Sequence, residues 1–143
     1  MIEKSSIEEI IAREGVFVST ISGYSMSPML KDRRDTVVIS KASGEIKKYD
    51  VILYRAGGKY VLHRVVKVKK NRFITCGDNC TVLEAVPKDS VIGILTEVWR
   101  GEERLDITSK AYRGYCRRHV MAFYPRRAYR GFCKIAAKIA KKS

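Results

Sequence analysis

Between residues 16 and 100 the chain is cut into short β-branched runs by glycine and asparagine, and this punctuation limits the fold more than any other feature. The run 16–21 ends at Gly23. Runs at 36–39, 50–54, 60–68 and 72–76 follow, with Ala56-Gly57-Gly58-Lys59 reading as a hairpin turn and Lys70-Asn71 as another. Residues 91–95 and 97–100 predict one or two further strands, with a turn at Gly101-Glu102. Strands this short and this regularly spaced predict a mainly β body, a coiled sheet or a partly closed barrel. Ahead of them, Ser5 or Ser6 followed by Glu8, Glu9 and three isoleucines predicts a short capped helix that ends near Gly15.

After Asp106 the period changes. Tyr112, Tyr115, Cys116, His119 and Phe123 recur at helical spacing, and past Pro125 so do Tyr129, Phe132, Cys133, Ala136 and Ile139. Of the 29 Lys and Arg residues, 11 lie from Lys110 onward, where there is no Asp or Glu; the preceding 109 residues carry the other 18 against all 15 acidic residues. The net charge of +14 is therefore a property of the tail. The chain divides into a β-rich body with its short helix, 1–106, and a basic helical tail, 107–143. That tail has three readings: contact with an anionic membrane surface, contact with an acidic partner or nucleic acid, or a stripe packed on the β body with its charges in water. The first is favoured over nucleic acid. Cys116 and Cys133 sit on the apolar stripes and read as core thiols.

No apolar run reaches the length of a membrane span, and the first 13 residues have no apolar segment of signal-peptide length. With four sparse cysteines this predicts a cytoplasmic chain with reduced thiols, peripheral at the inner face of the membrane if the tail binds lipid. Cys76 and Cys80 lack further ligands at metal spacing, so neither metal nor other cofactor is expected.

Three short motifs carry chemistry. Ser25-Met26-Ser27-Pro28 lies just beyond a strand end, His63-Arg64-Val65 in mid-chain, and Gly77-Asp78-Asn79 after a further strand. A serine hydroxyl needs a base to take its proton and a third group to hold the base in the right tautomer. Singly, each motif reads better as a polar turn or a structural side chain. Asp35 and Asp50 read as structural.

With the residues around them, these motifs resemble the signal-peptidase and LexA-type repressor superfamily. The resemblance runs over residues 16–98, through Gly23-Tyr24-Ser25-Met26-Ser27-Pro28-Met29-Leu30, Asp35, Tyr49-Asp50-Val51-Ile52, His63-Arg64-Val65-Val66 and Cys76-Gly77-Asp78-Asn79. Histidine at 63, in place of lysine, resembles the endoplasmic-reticulum and sporulation-type branch. The resemblance implies a β-rich endopeptidase working through an acyl-enzyme on a peptide or protein precursor, with leader removal the expected task. It implies Ser25 as nucleophile and His63 as general base, and it leaves Asp78 and Glu84 competing for the third role. Glu84 stands where the family has aspartate. Gly23 stands where many signal peptidases have an oxyanion-binding serine, so backbone N–H groups, Ser25 first, would bind the oxyanion. Tyr49 stands where the family has glycine. The alternative is a non-catalytic regulatory or DNA-associated module of the repressor branch, although too few residues precede the β region for a helix-turn-helix.

Overall fold

The computed structural model describes residues 6–142. Helix α1 spans Ile7–Glu14. Ser6 and Glu9 form a reciprocal capping box at its start, and Gly15, at φ 81°, closes it in a conformation that glycine adopts without a Cβ penalty. Ser5 lies outside the described residues; the cap is Ser6.

Eight strands follow: β1 (Val16–Thr20), β2 (Asp35–Ser40), β3 (Val51–Ala56), β4 (Lys59–Val68), β5 (Arg72–Cys76), β6 (Glu84–Pro87), β7 (Val91–Arg100) and β8 (Glu103–Leu105). They form one antiparallel sheet in the order β1-β2-β7-β3-β4-β5-β6, with β8 paired to β7. The sheet is open, because β1 and β6 end the path without pairing to each other. The expected hairpin joins β3 to β4, with Gly57 and Gly58 both at positive φ. The two runs between 91 and 100 are one strand. β7 absorbs irregularities in its register against both β2 and β3 and stays continuous.

Strand alternation sorts the side chains into two cores. Val51 and Leu53 join Val37, Ile39, Leu95 and Val98 under α1, together with Met26, Met29 and Leu30 from the loop that follows β1. Ile52 and Tyr54, on the other face of β3, pack with Val65, Phe73 and Val86.

Helix α2 (Lys110–Met121) starts on Ser109, whose side chain accepts from Tyr112 N–H, and α3 spans Phe123–Lys142. Pro125 falls in the first turn of α3, where a missing N–H costs nothing, so it sits inside the second helix. The two helices behave differently. Tyr112 and Tyr115 of α2 pack on the core, Cys116 is 1% exposed and Phe123 2%. Beyond Phe123 the apolar stripe of α3 faces outward, and Cys133, read from sequence as a core thiol, is exposed. A boundary at 106 therefore separates α2 from the body on which it packs. Among the described residues no helix is long and apolar enough to cross a membrane.

Candidate active site

Ser25 lies on the loop between β1 and β2, and that loop is tied down along its length. Gly23 N–H donates to Asp32 Oδ1 at 2.8 Å, and Arg33 N–H donates to the Ile21 carbonyl at 2.8 Å. Asp35, fully buried, closes the base: its carboxylate accepts from Lys31 N–H, from Arg34 and from Arg100. Burial pushes this carboxyl up, but those donors outweigh it and hold it below its ordinary value. Asp35 is thus structural, as the sequence suggested. Met26, Met29 and Leu30 anchor the loop in the core while Ser25 stays exposed.

The Gly77-Asp78-Asn79 loop packs on Ser25 from the other side. Asn79 N–H donates to the Ser25 carbonyl at 2.9 Å. A Cβ on Gly77 would stand 2.5 Å from the Ser25 carbonyl oxygen and 3.0 Å from His63 Nε2. Only glycine lets these three groups meet.

His63 is 7% exposed on β4. The register pairs Ile52 with His63, Val65 with Thr75 and Thr75 with Glu84. With the alternation of strands this places Tyr54, His63, Thr75 and Glu84 on one face of β3, β4, β5 and β6. The Tyr54 hydroxyl is the hub: it lies 3.2 Å from His63 Nδ1, 2.9 Å from Thr75 Oγ1 and 2.6 Å from Glu84 Oε2. A phenol has one proton, and here it goes to the carboxylate. The oxygen must then accept from Nδ1–H, so neutral His63 carries its proton on Nδ1 and keeps a lone pair on Nε2, the nitrogen beside Gly77 and the Ser25 carbonyl. Burial pulls the imidazole below its ordinary value of 6.5; the charges of Glu84 and then Asp78 oppose this without overcoming it. Burial, and then Glu84, push the Tyr54 hydroxyl well up, so it stays protonated.

Asp78 has a different partner. Arg64, the residue after His63, points to the opposite face of β4, and its guanidinium grips Asp78 bidentately at 2.8 and 2.9 Å. The Tyr115 hydroxyl donates to the same carboxylate at 2.8 Å, and His119 Nε2 bonds the Asp78 carbonyl. Arg64 also donates to the Tyr49 carbonyl at 2.9 Å and to Tyr112 and Cys116 of α2. Burial works against the Arg64 charge, and Asp78 outweighs burial; the salt bridge is sealed beneath α2. Of the two carboxylates in competition, the structure links Glu84 to His63 through Tyr54 and commits Asp78 to Arg64.

Ser25 and His63 line one groove of about 410 Å³, with Phe17, Ile21, Leu53 and Leu62 among its apolar walls. Among the described residues, the Ser25 hydroxyl makes no hydrogen bond to His63, and Ser25 N–H donates to no protein acceptor. Cys76 is buried, and burial pushes its thiol up to about 12, which makes it a poor nucleophile.

Sequence reading missed Tyr54, Thr75 and the role of Arg64. Each is a buried polar residue on a strand, and only the register shows whom it faces. Comparison with known proteins finds no family model that matches this chain and no curated protein significantly similar to it.

Proposed function

We propose that this chain is a serine endopeptidase whose fold is of the signal-peptidase and LexA type, with Ser25 as nucleophile, His63 as general base and Glu84 acting on His63 through Tyr54. The observation that carries the reading is the chain of hydrogen bonds from Glu84 through Tyr54 to His63 Nδ1. It leaves Nε2 basic at the edge of a groove that Ser25 also lines. Ser25 Oγ attacks the carbonyl carbon of the scissile peptide, and its proton passes to Nε2. The carbonyl π pair moves onto oxygen, and Ser25 N–H donates to that oxyanion. Collapse breaks the C–N bond, Nε2 returns the proton to the leaving amine, and a Ser25 ester remains. Water, deprotonated by His63, then hydrolyses the ester to a carboxylic acid and free Ser25. Tyr54 is a positioning residue: it holds the tautomer and transmits the Glu84 charge that stabilises the imidazolium. The apolar walls of the groove suit a substrate with small or apolar side chains beside the cleaved bond.

The test is labelling by a serine-reactive acylating probe. Ser25 should be the modified residue, Ser25→Ala should take no label, and His63→Ala should label at least 100-fold more slowly. Labelling that survives Ser25→Ala, or is indifferent to His63→Ala, refutes the assignment.

A further inference from the structure

The body buries its apolar surface, and α3 does not. Tyr129, Phe132, Ile135 and Ile139 are 69%, 68%, 60% and 66% exposed. At 100° per residue they share one side of the helix. Arg127, Lys134, Lys138 and Lys141 fall on the other side, and α3 carries no acidic residue. The beginning of α3 is tied to the rest of the chain by the buried Phe123 and by two side-chain hydrogen bonds: Arg126 Nη1 donates to the His119 carbonyl at 2.7 Å, and Arg130 Nη1 to the Asn79 carbonyl at 3.4 Å. Among the described residues, 131–139 make no side-chain hydrogen bond or ion pair with the body.

We infer that α3 is an interfacial helix that docks the chain on an anionic lipid surface. A large apolar face beside a wholly cationic one needs a partner that offers acyl chains and negative charge together, and the headgroup boundary of an acidic bilayer offers both at one depth. A second copy of the helix would match the apolar face, but it would add cations to cations with no carboxylate on either helix to compensate. A nucleic acid would match the cations and leave the apolar face in water. The Asn79 amide holds the Ser25 carbonyl, and the Asn79 carbonyl takes Arg130. A docked chain therefore holds the candidate site beside the lipid. The binding itself does not depend on the peptidase reading.

The experiment is co-sedimentation of the full chain with vesicles of phosphatidylcholine alone and of phosphatidylcholine with one third phosphatidylglycerol, at low and high salt. The chain should bind the anionic and not the neutral vesicles, and high salt should weaken that binding to a smaller remainder held by the apolar face. Lys134→Gln with Lys138→Gln should weaken it about 25-fold, or about fivefold per charge removed (the equivalent of ~1 kcal/mol each). Phe132→Ser with Ile139→Ser should abolish the part that survives high salt, because salt screens only the charge contribution. All four positions are exposed on a helix that hardly touches the body, and acylation of Ser25 by a soluble probe should be unchanged in both variants. Four results overturn the inference: no binding, equal binding to neutral vesicles, duplex DNA binding that the serine variant retains while vesicle binding is absent, or a dimer in solution that the serine variant dissolves.

Discussion

Replacing Glu84 by Gln removes a charge and leaves the shape. The amide oxygen can still accept the Tyr54 proton, so Tyr54 can still accept from Nδ1–H, and the geometry around His63 survives. What changes is the field. Two hydrogen bonds of 3.2 and 2.6 Å in series put the carboxylate close to Nδ1. At a separation of about 6 Å and an effective dielectric of about 20, a unit charge is worth roughly 2–3 kcal/mol to the imidazolium. Glu84 raises the pKa of His63 against burial, so its loss must lower that pKa further. The base then stays neutral to lower pH. The acid limb of the rate of Ser25 acylation should move down by about one to two pH units. The plateau should fall about 10- to 100-fold, because a weaker base takes the serine proton less readily and the imidazolium loses its counter-charge. The assay is the pH dependence of acylation by an activated ester, followed by the mass of the modified chain. A limb that stays in place with an unchanged plateau would show that Glu84 is not coupled to the imidazole. A limb that moves upward would contradict the sign of the interaction.

Asp78→Asn should act on stability. Leaving Arg64 buried and unpaired should cost about 3–5 kcal/mol, read by chemical denaturation; a loss under 1 kcal/mol would mean that the pair does not hold α2 to the sheet. Gly77→Ala should slow Ser25 acylation about 100-fold, since the new Cβ meets the Ser25 carbonyl oxygen at 2.5 Å and that backbone must move; an unaltered acylation rate would refute the close packing. His63 has a depressed pKa in the folded chain, so the unfolded chain takes up its proton first as pH falls below 6.5. This contribution is present above 6.5 and is lost as pH falls towards the folded value, so the melting temperature should drop over that range and drop less in His63→Gln. Parallel melting curves for the two proteins would count against a buried neutral imidazole. Tyr49, at φ 83°, occupies a left-handed conformation that favours glycine, and Tyr49→Gly should raise stability by about 1 kcal/mol in thermal unfolding; a large loss would show that packing of the ring outweighs the strain.

Elements with a local signature were legible in the sequence, and elements made by their neighbours were not. The α1 capping box and the Gly-Gly hairpin are written in adjacent residues and appear where they were read. β6 was missed because Glu84-Ala85-Val86-Pro87 has little strand propensity; it exists through pairing with β5 and holds its proline at the sheet edge. Ser25 and His63 were legible as motifs. The choice between Asp78 and Glu84 was not, because it depends on which face of β4 each carboxylate meets. Tyr54 reads as an ordinary strand aromatic until the register puts its hydroxyl between a histidine and a glutamate. In the tail, one pattern of tyrosine and arginine describes both α2, which packs, and α3, which does not. Amphipathicity shows that a helix has an apolar face, not what covers it.

The seal over Arg64 and Asp78 has a consequence for the order in which the molecule becomes competent. The Asp78 side chain is fixed by Arg64 from β4 and by Tyr115 from α2, its carbonyl is held by His119, and the next residue clamps the Ser25 carbonyl. As the chain leaves the ribosome, the serine emerges ahead of most of the sheet, but the α2 side chains that finish this loop, Tyr115 and His119, follow well behind it. A growing chain therefore exposes its serine long before the loop beside it is held, and any activity at Ser25 should switch on only once α2 has been made and has come down on the sheet.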